Sequence, residues 1–188
     1  MMTELEIREH LKSVLTEKRF NHSLAVAAEA VRLAQLWGAD SEKAYLAGLV
    51  HDCCKDTSAN ILLQKADEFG IIISNLEKKA PKLLHAIVGS VYLNRVFGID
   101  DEEIASAVRY HTTARAGMSL LEKVLYLADF TSADRDYNGV DEMRKAVNES
   151  MEKAMKIALS FTITELAEKE SAIHPDTFEA YNEIMMAE

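Results

Sequence analysis

The sequence has few turn-forming residues, with only 7 Gly and 2 Pro in 188 residues. A fold of many strands needs frequent tight turns, where Gly and Pro are preferred, so this scarcity argues against a β-sandwich or β-barrel. It favours long helices connected by few turns. The length suits one ordinary domain, which can bury a core without disulfides or a structural metal.

Cysteine is almost absent, and the two that occur, Cys53 and Cys54, are neighbours. Adjacent cysteines rarely form an unstrained disulfide. The sequence also lacks the paired Cys motifs of structural zinc sites. We therefore interpret both as reduced packing residues of a cytosolic protein.

The first ten residues contain no apolar core of signal-peptide length, and no run approaches the ~20 apolar residues that a membrane span requires, so we expect neither feature. We expect a cytoplasmic protein with no membrane partner. Its net charge of −10 does not suit binding to nucleic acid. A small phosphorylated substrate is compatible with this charge, because a bound cation and a few basic residues reverse the potential locally. The surface pattern is compatible with a homo-oligomer but does not indicate one.

Helical periodicity dominates the chain and predicts an all-α fold. Thr3 with Glu6, Asp100 with Glu103, and Ser119 with Glu122 are predicted to cap three of the helices. We predict a single helical bundle over residues 1–188, with a metal-binding core at about 18–132 and further helices at about 140–188 that complete the bundle and the substrate pocket. The predicted helices include residues 4–16, 20–37, 41–50, 59–69, 82–97, 101–110 and 120–129, with 70–74 as a connector and a last helix starting at 174–175.

Two apolar helices are predicted to end in carboxylates, one at His51-Asp52 and one at Asp129. A carboxylate driven towards a core needs a cation or another partner. A lone His or Asp in such a place is more often a satisfied core or cap residue, and a buried polar network is the alternative for the whole set. The combination is more specific, and a set of imidazoles and carboxylates favours iron, manganese, cobalt, nickel or zinc over calcium. The predicted ligands are His22, His51, Asp52 and Asp129.

These residues form an H…HD…D pattern that resembles the HD-domain superfamily of metal-dependent phosphohydrolases. The resemblance extends over nearly the whole chain and is greatest to the YqeK branch, with Val50 and Ala86 as small departures. It implies an HD-domain bundle that binds an iron-type ion, with one ion favoured and two allowed. It also implies that a metal-activated water cleaves diadenosine tetraphosphate symmetrically into two ADP. The matching segments are 18–23, 47–56, 84–86, 109–113, 120–129 and 173–177.

The resemblance also implies roles for individual residues. His22, His51, Asp52 and Asp129 would hold the metal, and Asp52 would also contact the nucleophilic water. His85 and His111 would bind phosphate oxygens or donate a proton to the leaving phosphate; in a binuclear site they would instead bind a second ion. The complete set of expected substrate contacts is Arg19, Lys55, His85, His111, Thr112, Arg135, Ser171, Ala172, Ile173, His174, Pro175 and Asp176.

Three other functions are compatible with the sequence. The protein could be an HD phosphohydrolase acting on a nucleoside mono- or triphosphate or on a signalling nucleotide. It could be a non-catalytic sensor that binds a metal and a nucleotide, or a structural helical protein that binds no metal. Products, turnover and metal content distinguish these alternatives.

Overall fold

The computed structural model describes residues 1–187, so residue 188, the last position of the predicted domain, lies outside the described residues. The all-α prediction is confirmed: 72% of the chain is helical, and the described part contains no strand. The helices within residues 1–187 are α1 (Glu4–Val14), α2 (Glu17–Trp37), α3 (Ser41–Val50), α4 (Ala59–Glu68), α5 (Asn75–Lys79), α6 (Leu84–Tyr92), α7 (Glu102–Tyr110), α8 (Leu120–Thr131), α9 (Val140–Glu149), α10 (Met151–Glu168) and α11 (Pro175–Met186).

Capping side chains set several helix starts. The capping boxes at Thr3–Glu6 and Ser119–Glu122 are both formed, as predicted. The prediction for α7 was wrong by one residue, because Asp101 and not Asp100 caps this helix. The Asp101 carboxylate accepts hydrogen bonds from the backbone N–H groups of residues 103 and 104, at 3.0 and 3.1 Å. Asp100 instead accepts a bond from the side-chain amide of residue 94.

Three predicted helices differ most from the structure in their limits: the first, the one predicted over 20–37, which begins at Glu17, and the one predicted over 82–97. The first ends at Val14 because Thr16 caps α2, which places Arg19 in the first turn of that helix. The helix predicted over 82–97 consists of three parts: a 3-10 turn (Pro81–Leu83), α6, and a π-helical turn (Leu93–Phe97) that ends at Gly98. Residues 70–74 are a non-helical connector, as expected, but α5 follows them and was not predicted.

Helices α2 and α3 pack closely against each other beside the candidate site. A Cβ atom added to Gly48 would lie only 2.6 Å from the Cα of Ala27 and 2.8 Å from its backbone nitrogen. Only glycine allows two backbones to approach this closely. Because α2 carries His22 and α3 leads into His51, this contact brings the two imidazoles together. None of the helices in the described part has the length and apolar character of a membrane span.

Candidate metal centre

The four predicted metal ligands come from three helices and meet in one buried place. His22 lies in the second turn of α2, the pair His51-Asp52 follows α3, and Asp129 lies near the end of α8. Two overlapping groups have ligand atoms that all lie within 4.8 Å of one another. One contains His22, His51 and Asp129, and the other contains His51, Asp52 and His111. The structure therefore brings all four predicted ligands together, with His111 beside them.

A common hydrogen-bond pattern orients the histidine rings. The Nδ1 atoms of His51, His85 and His111 each lie 2.7 Å from the backbone carbonyl oxygen three residues earlier in the chain. The Nδ1 atom of His22 lies 2.8 Å from the carboxylate of Asp134. A nitrogen that faces a carbonyl or carboxylate oxygen must donate, so in each neutral ring the lone pair is on Nε2. These lone pairs are available to a metal ion.

Several buried acceptor atoms that face this centre receive no hydrogen bond. The Nε2 atoms of His22 and His51 and the Oδ1 atom of Asp52 are buried without a hydrogen-bond partner. The Nε2 atom of His22 also lies only 3.0 Å from Oδ1 of Asp129, although both are acceptors in this arrangement. Leaving buried acceptors unsatisfied costs about 1–3 kcal/mol each. A cation removes this cost, and imidazole nitrogens with carboxylate oxygens suit a divalent transition metal.

The electrostatic environment keeps both ligand carboxyl groups ionised. Burial alone would raise the pKa of Asp52, but when the surrounding imidazoles are protonated the charge of His51 and the hydrogen bonds from these rings hold it well below its usual value. Burial acts in the same direction on Asp129, and there His22 and Arg135 outweigh it and lower the pKa. Burial lowers the pKa of His85 to about 4, so this imidazole is neutral near pH 7. The centre thus offers two anionic and several neutral ligands.

Three of the cations predicted to bind phosphate lie directly at this centre. Arg19 donates to the carboxylate of Asp52 at 2.8 Å, and Arg135 donates to the Asp129 carboxylate and, at 2.6 Å, to the carbonyl oxygen of the same residue. The ammonium of Lys55 lies 3.1 Å from Nε2 of His85. Burial lowers the pKa of Lys55. A 390 Å³ cavity reaches the centre, and its lining includes Lys18, Arg19, His22 and Arg135.

The predicted contacts in the C-terminal tail lie farther from these ligands. The Nε2 atom of His174 lies 3.6 Å from the carboxylate of Glu77, which also accepts a 3.0 Å hydrogen bond from Arg109, two residues before His111. The tail is thereby linked to α5 and to the end of α7. The remaining predicted contacts stay predictions: Ser171, Ala172 and Pro175 are exposed, Ile173 and Asp176 are partly buried, and Thr112 has a buried hydroxyl without a hydrogen-bond partner.

The sequence interpretation missed Asp134, whose carboxylate orients His22. These residues are 112 positions apart, and no local pattern in the sequence connects them. A carboxylate that receives the second ring N–H of a metal-binding histidine fixes the ring and raises its basicity. Ser132 in turn donates to this carboxylate at 2.8 Å.

Replacing this partner is expected to weaken metal binding without unfolding the protein. We predict that Asp134→Ala binds a divalent ion about 10–100-fold more weakly, as is typical for loss of such a carboxylate. The residue is exposed, so its loss leaves the core unchanged. Competition with a chelator of known affinity measures the effect. Asp136→Ala, in an exposed neighbour from the same cavity, is the control. Equal affinity in the two variants would contradict the assigned role.

The fold and the site define this chain as an all-helical protein with a buried histidine–carboxylate cluster that could hold a metal ion. The family model described as HD domain matches residues 19–134, and the chain belongs to this family. It is 37% identical to a protein of Halalkalibacterium halodurans, over 94% of both chains, and 38% identical to one of Bacillus subtilis, over 92% of both. Both are named "Bis(5'-nucleosyl)-tetraphosphatase, symmetrical".

A solved structure with the same fold comes from Clostridium acetobutylicum. It is described as an HD superfamily hydrolase involved in NAD metabolism. The two structures have a TM-score of 0.96 and 39% sequence identity, over 98% of each chain. At this level of identity the likeness extends beyond the metal centre to the C-terminal helices.

Proposed function

We propose that this protein hydrolyses diadenosine tetraphosphate symmetrically to two ADP, with a divalent ion held by His22, His51, Asp52 and Asp129. The observation that carries the proposal is the group of unpartnered buried ligand atoms beside Arg19 and Arg135. Two relatives that cover more than nine-tenths of the chain are named for this activity. The cation-lined cavity at the same place suits a polyphosphate.

The ion is proposed to be iron, with one ion per chain. Two imidazole nitrogens and two carboxylate oxygens suit iron, and also suit manganese, cobalt, nickel and zinc. When bound, a divalent ion offsets phosphoryl charge and lowers the pKa of water at the site. Metal analysis of anaerobically purified protein tests both the identity and the number of ions. The cytoplasmic location and the oligomeric state stay predictions.

The residues of the chain bind and orient the phosphates in this proposal. Arg19 and Arg135 already lie at the two ligand carboxylates, where their guanidinium groups can form paired hydrogen bonds to phosphate oxygens. Lys55 adds a third cation close to His85. These three groups offset the charge of the tetraphosphate in a protein that is otherwise strongly acidic.

His85 and His111 are proposed to contact the phosphate that leaves. Their Nε2 atoms are 3.2 Å apart and lie 3.1 and 3.5 Å from Oδ1 of Asp52. Each Nδ1 is already bonded to a carbonyl oxygen, so a proton taken up by either ring is carried on Nε2, towards Asp52. The negative charge of a bound tetraphosphate favours the protonated form of these rings, including His85, and the proton can then be donated to the oxygen of the departing ADP.

The whole chain is proposed to act as one domain, with a metal-binding core at about 18–132 and later helices that complete the pocket. Tyr126 and Thr162 place their hydroxyl oxygens 3.2 Å apart, which links α8 to α10. Phe130 and Phe161 make a second contact between these helices, at a centroid distance of 6.1 Å. The segment from Ser171 to Asp176 is proposed to contact one nucleoside.

Product analysis tests the proposed activity. In ¹⁸O-labelled water the protein is expected to convert diadenosine tetraphosphate to ADP alone, with one label per two ADP, in a terminal phosphate. ATP with AMP would contradict symmetrical cleavage, and tight binding without turnover across several divalent ions would favour a sensor. Chelation is expected to abolish turnover, and added Fe²⁺ or Mn²⁺ to restore it. A protein that keeps its rate when free of metal would refute the metal-dependent scheme.

A further inference from the structure

We propose that one nucleoside of the substrate binds in an aromatic cavity between α8, the loop after it and α10. Its base would lie against Phe161 and Tyr137. This inference rests on the proposed function, because a dinucleoside substrate needs two base sites and the tail residues 171–176 account for only one.

The cavity opens beside the metal centre. It has a volume of 260 Å³, and its lining includes Asp129, Phe130, Arg135, Tyr137, Phe161 and Glu165. The 390 Å³ cavity that contains His22 shares Arg135 and Tyr137 with it. A substrate with its phosphates at the centre therefore reaches the aromatic cavity by passing Arg135.

Three aromatic side chains form one wall of this cavity. The ring centroids of Tyr137 and Phe161 are 5.2 Å apart at 44°, and those of Phe130 and Phe161 are 6.1 Å apart at 87°. All three side chains are partly exposed. Partly exposed aromatic rings that line one cavity offer apolar surface to a ligand. Ring faces of this kind bind nucleobases by stacking.

The two cavities differ in chemical character in the same order as the parts of a nucleotide, from charged phosphate to uncharged base. The larger cavity is lined by the cations Lys18, Arg19 and Arg135 and by the carboxylates of Asp134 and Asp136, and its cations lie next to the centre, where phosphates are expected. Beyond Asp129 and Arg135, which border the centre, the aromatic cavity is lined by Phe130, Tyr137, Phe161, Thr162 and the carboxylate of Glu165, so this part suits an uncharged base and not another phosphate. The volume lies just below the roughly 300–1,000 Å³ of sites for drug-sized ligands, which suits a single nucleoside.

The second base site lies apart from the tail segment. The lining of the aromatic cavity includes none of residues 171–176. The tail is linked instead to Glu77 and Arg109, which are also absent from that lining. One nucleoside at the tail and the other in the aromatic cavity would leave the middle of the tetraphosphate at the metal centre. Cleavage there releases two equal halves.

Binding of ADP to the metal-loaded protein tests this assignment, because ADP corresponds to each half of diadenosine tetraphosphate. By calorimetry we expect two ADP per chain, and we expect Phe161→Leu to weaken one of the two by about 10-fold, because leucine fills space without stacking on a base. Phe161→Tyr keeps an aromatic face and is expected to bind both as the unsubstituted protein does. Thermal melting of each variant reports whether the fold is retained.

The leucine variant separates base binding from packing. If Phe161 only packs α10 against α8, Phe161→Leu will bind both ADP normally, and the proposal is overturned. A single ADP per unsubstituted chain would overturn it as well. A failure of the proposed function alone would give a different result. The protein would still bind two ADP, one of them dependent on Phe161, but it would not cleave diadenosine tetraphosphate. Symmetrical cleavage with normal ADP binding in Phe161→Leu would refute only the base site.

Discussion

Replacing Asp52 with alanine is expected to remove both the metal and the activity. Asp52 is 2% exposed, and its carboxylate is within 3.5 Å of His85, His111 and His51. Loss of a residue that hydrogen-bonds to a metal ligand typically lowers metal affinity or activity 10–100-fold. Loss of a direct ligand should therefore lower turnover at least about 1,000-fold. Elemental analysis should find less than a tenth, roughly, of the metal in the unsubstituted protein, because the ligand also supplies the negative charge of the site.

The fold should survive this substitution. Arg19 and Lys55, which both pair with Asp52, are each about one-third exposed and can return to water, so no fully buried cation is left without a partner. Asp67→Ala, in an exposed residue of α4, is the matched control and should keep its metal and its rate. Full hydrolysis by metal-free Asp52→Ala protein would disprove the assigned role of this carboxylate.

A single methyl group at residue 48 is expected to have the largest effect on stability. The Cβ of Gly48→Ala would meet backbone atoms of Ala27 at 2.6 and 2.8 Å, and backbone cannot move aside as a side chain can. Overpacking costs typically 1–3 kcal/mol, so we expect a loss of about 3 kcal/mol, or a fall in Tm of about 6–12 °C for a chain of this size. Displacement of His51 from His22 should also lower turnover about 100-fold.

Gly89→Ala is the matched control, since it adds the same methyl group within α6. There the new Cβ would lie 3.6 Å from Cys53 and Val108, which is ordinary van der Waals contact. Alanine is favoured over glycine in a helix by about 1 kcal/mol, so Tm should rise by about 2–4 °C. Thermal unfolding of both variants tests the argument. An unchanged Tm in Gly48→Ala would show that α2 and α3 are not held at this distance.

Local sequence signals predicted helix boundaries well where a single interaction between nearby residues sets the boundary. The capping boxes at Thr3 and Ser119 are visible in the sequence because the partners are three residues apart. The same signal at Ser74–Glu77 went unused, since α5 is too short to show helical periodicity. The choice between Asp100 and Asp101 depends on a hydrogen bond from Asn94, which no local rule predicts. The π turn at the end of α6 has no such signal either.

The meeting of three of the predicted ligands, His51, Asp52 and Asp129, could be predicted because apolar helical segments lead to them, whereas His22 lies early in α2. Apolar residues before His51-Asp52 and Asp129 place these polar groups at the end of a buried segment, and the structure brings them together. Contacts between distant segments could not be predicted in this way. The pairing of Asp134 with His22 and the meeting of Phe130 with Phe161 depend on how α8 and its following loop pack.

His51 and His111 also limit the lengths of the helices that lead to them. Each residue directly follows its helix and bonds to a carbonyl of its last turn, so the direction of the imidazole is set by the position at which the packed helix ends. One residue inserted into α3 would rotate His51 by about 100° around the helix axis and shift it by about 1.5 Å. The loops can therefore vary in length while α3 and α7 cannot, and homologous enzymes with this centre should differ by insertions only outside these two helices.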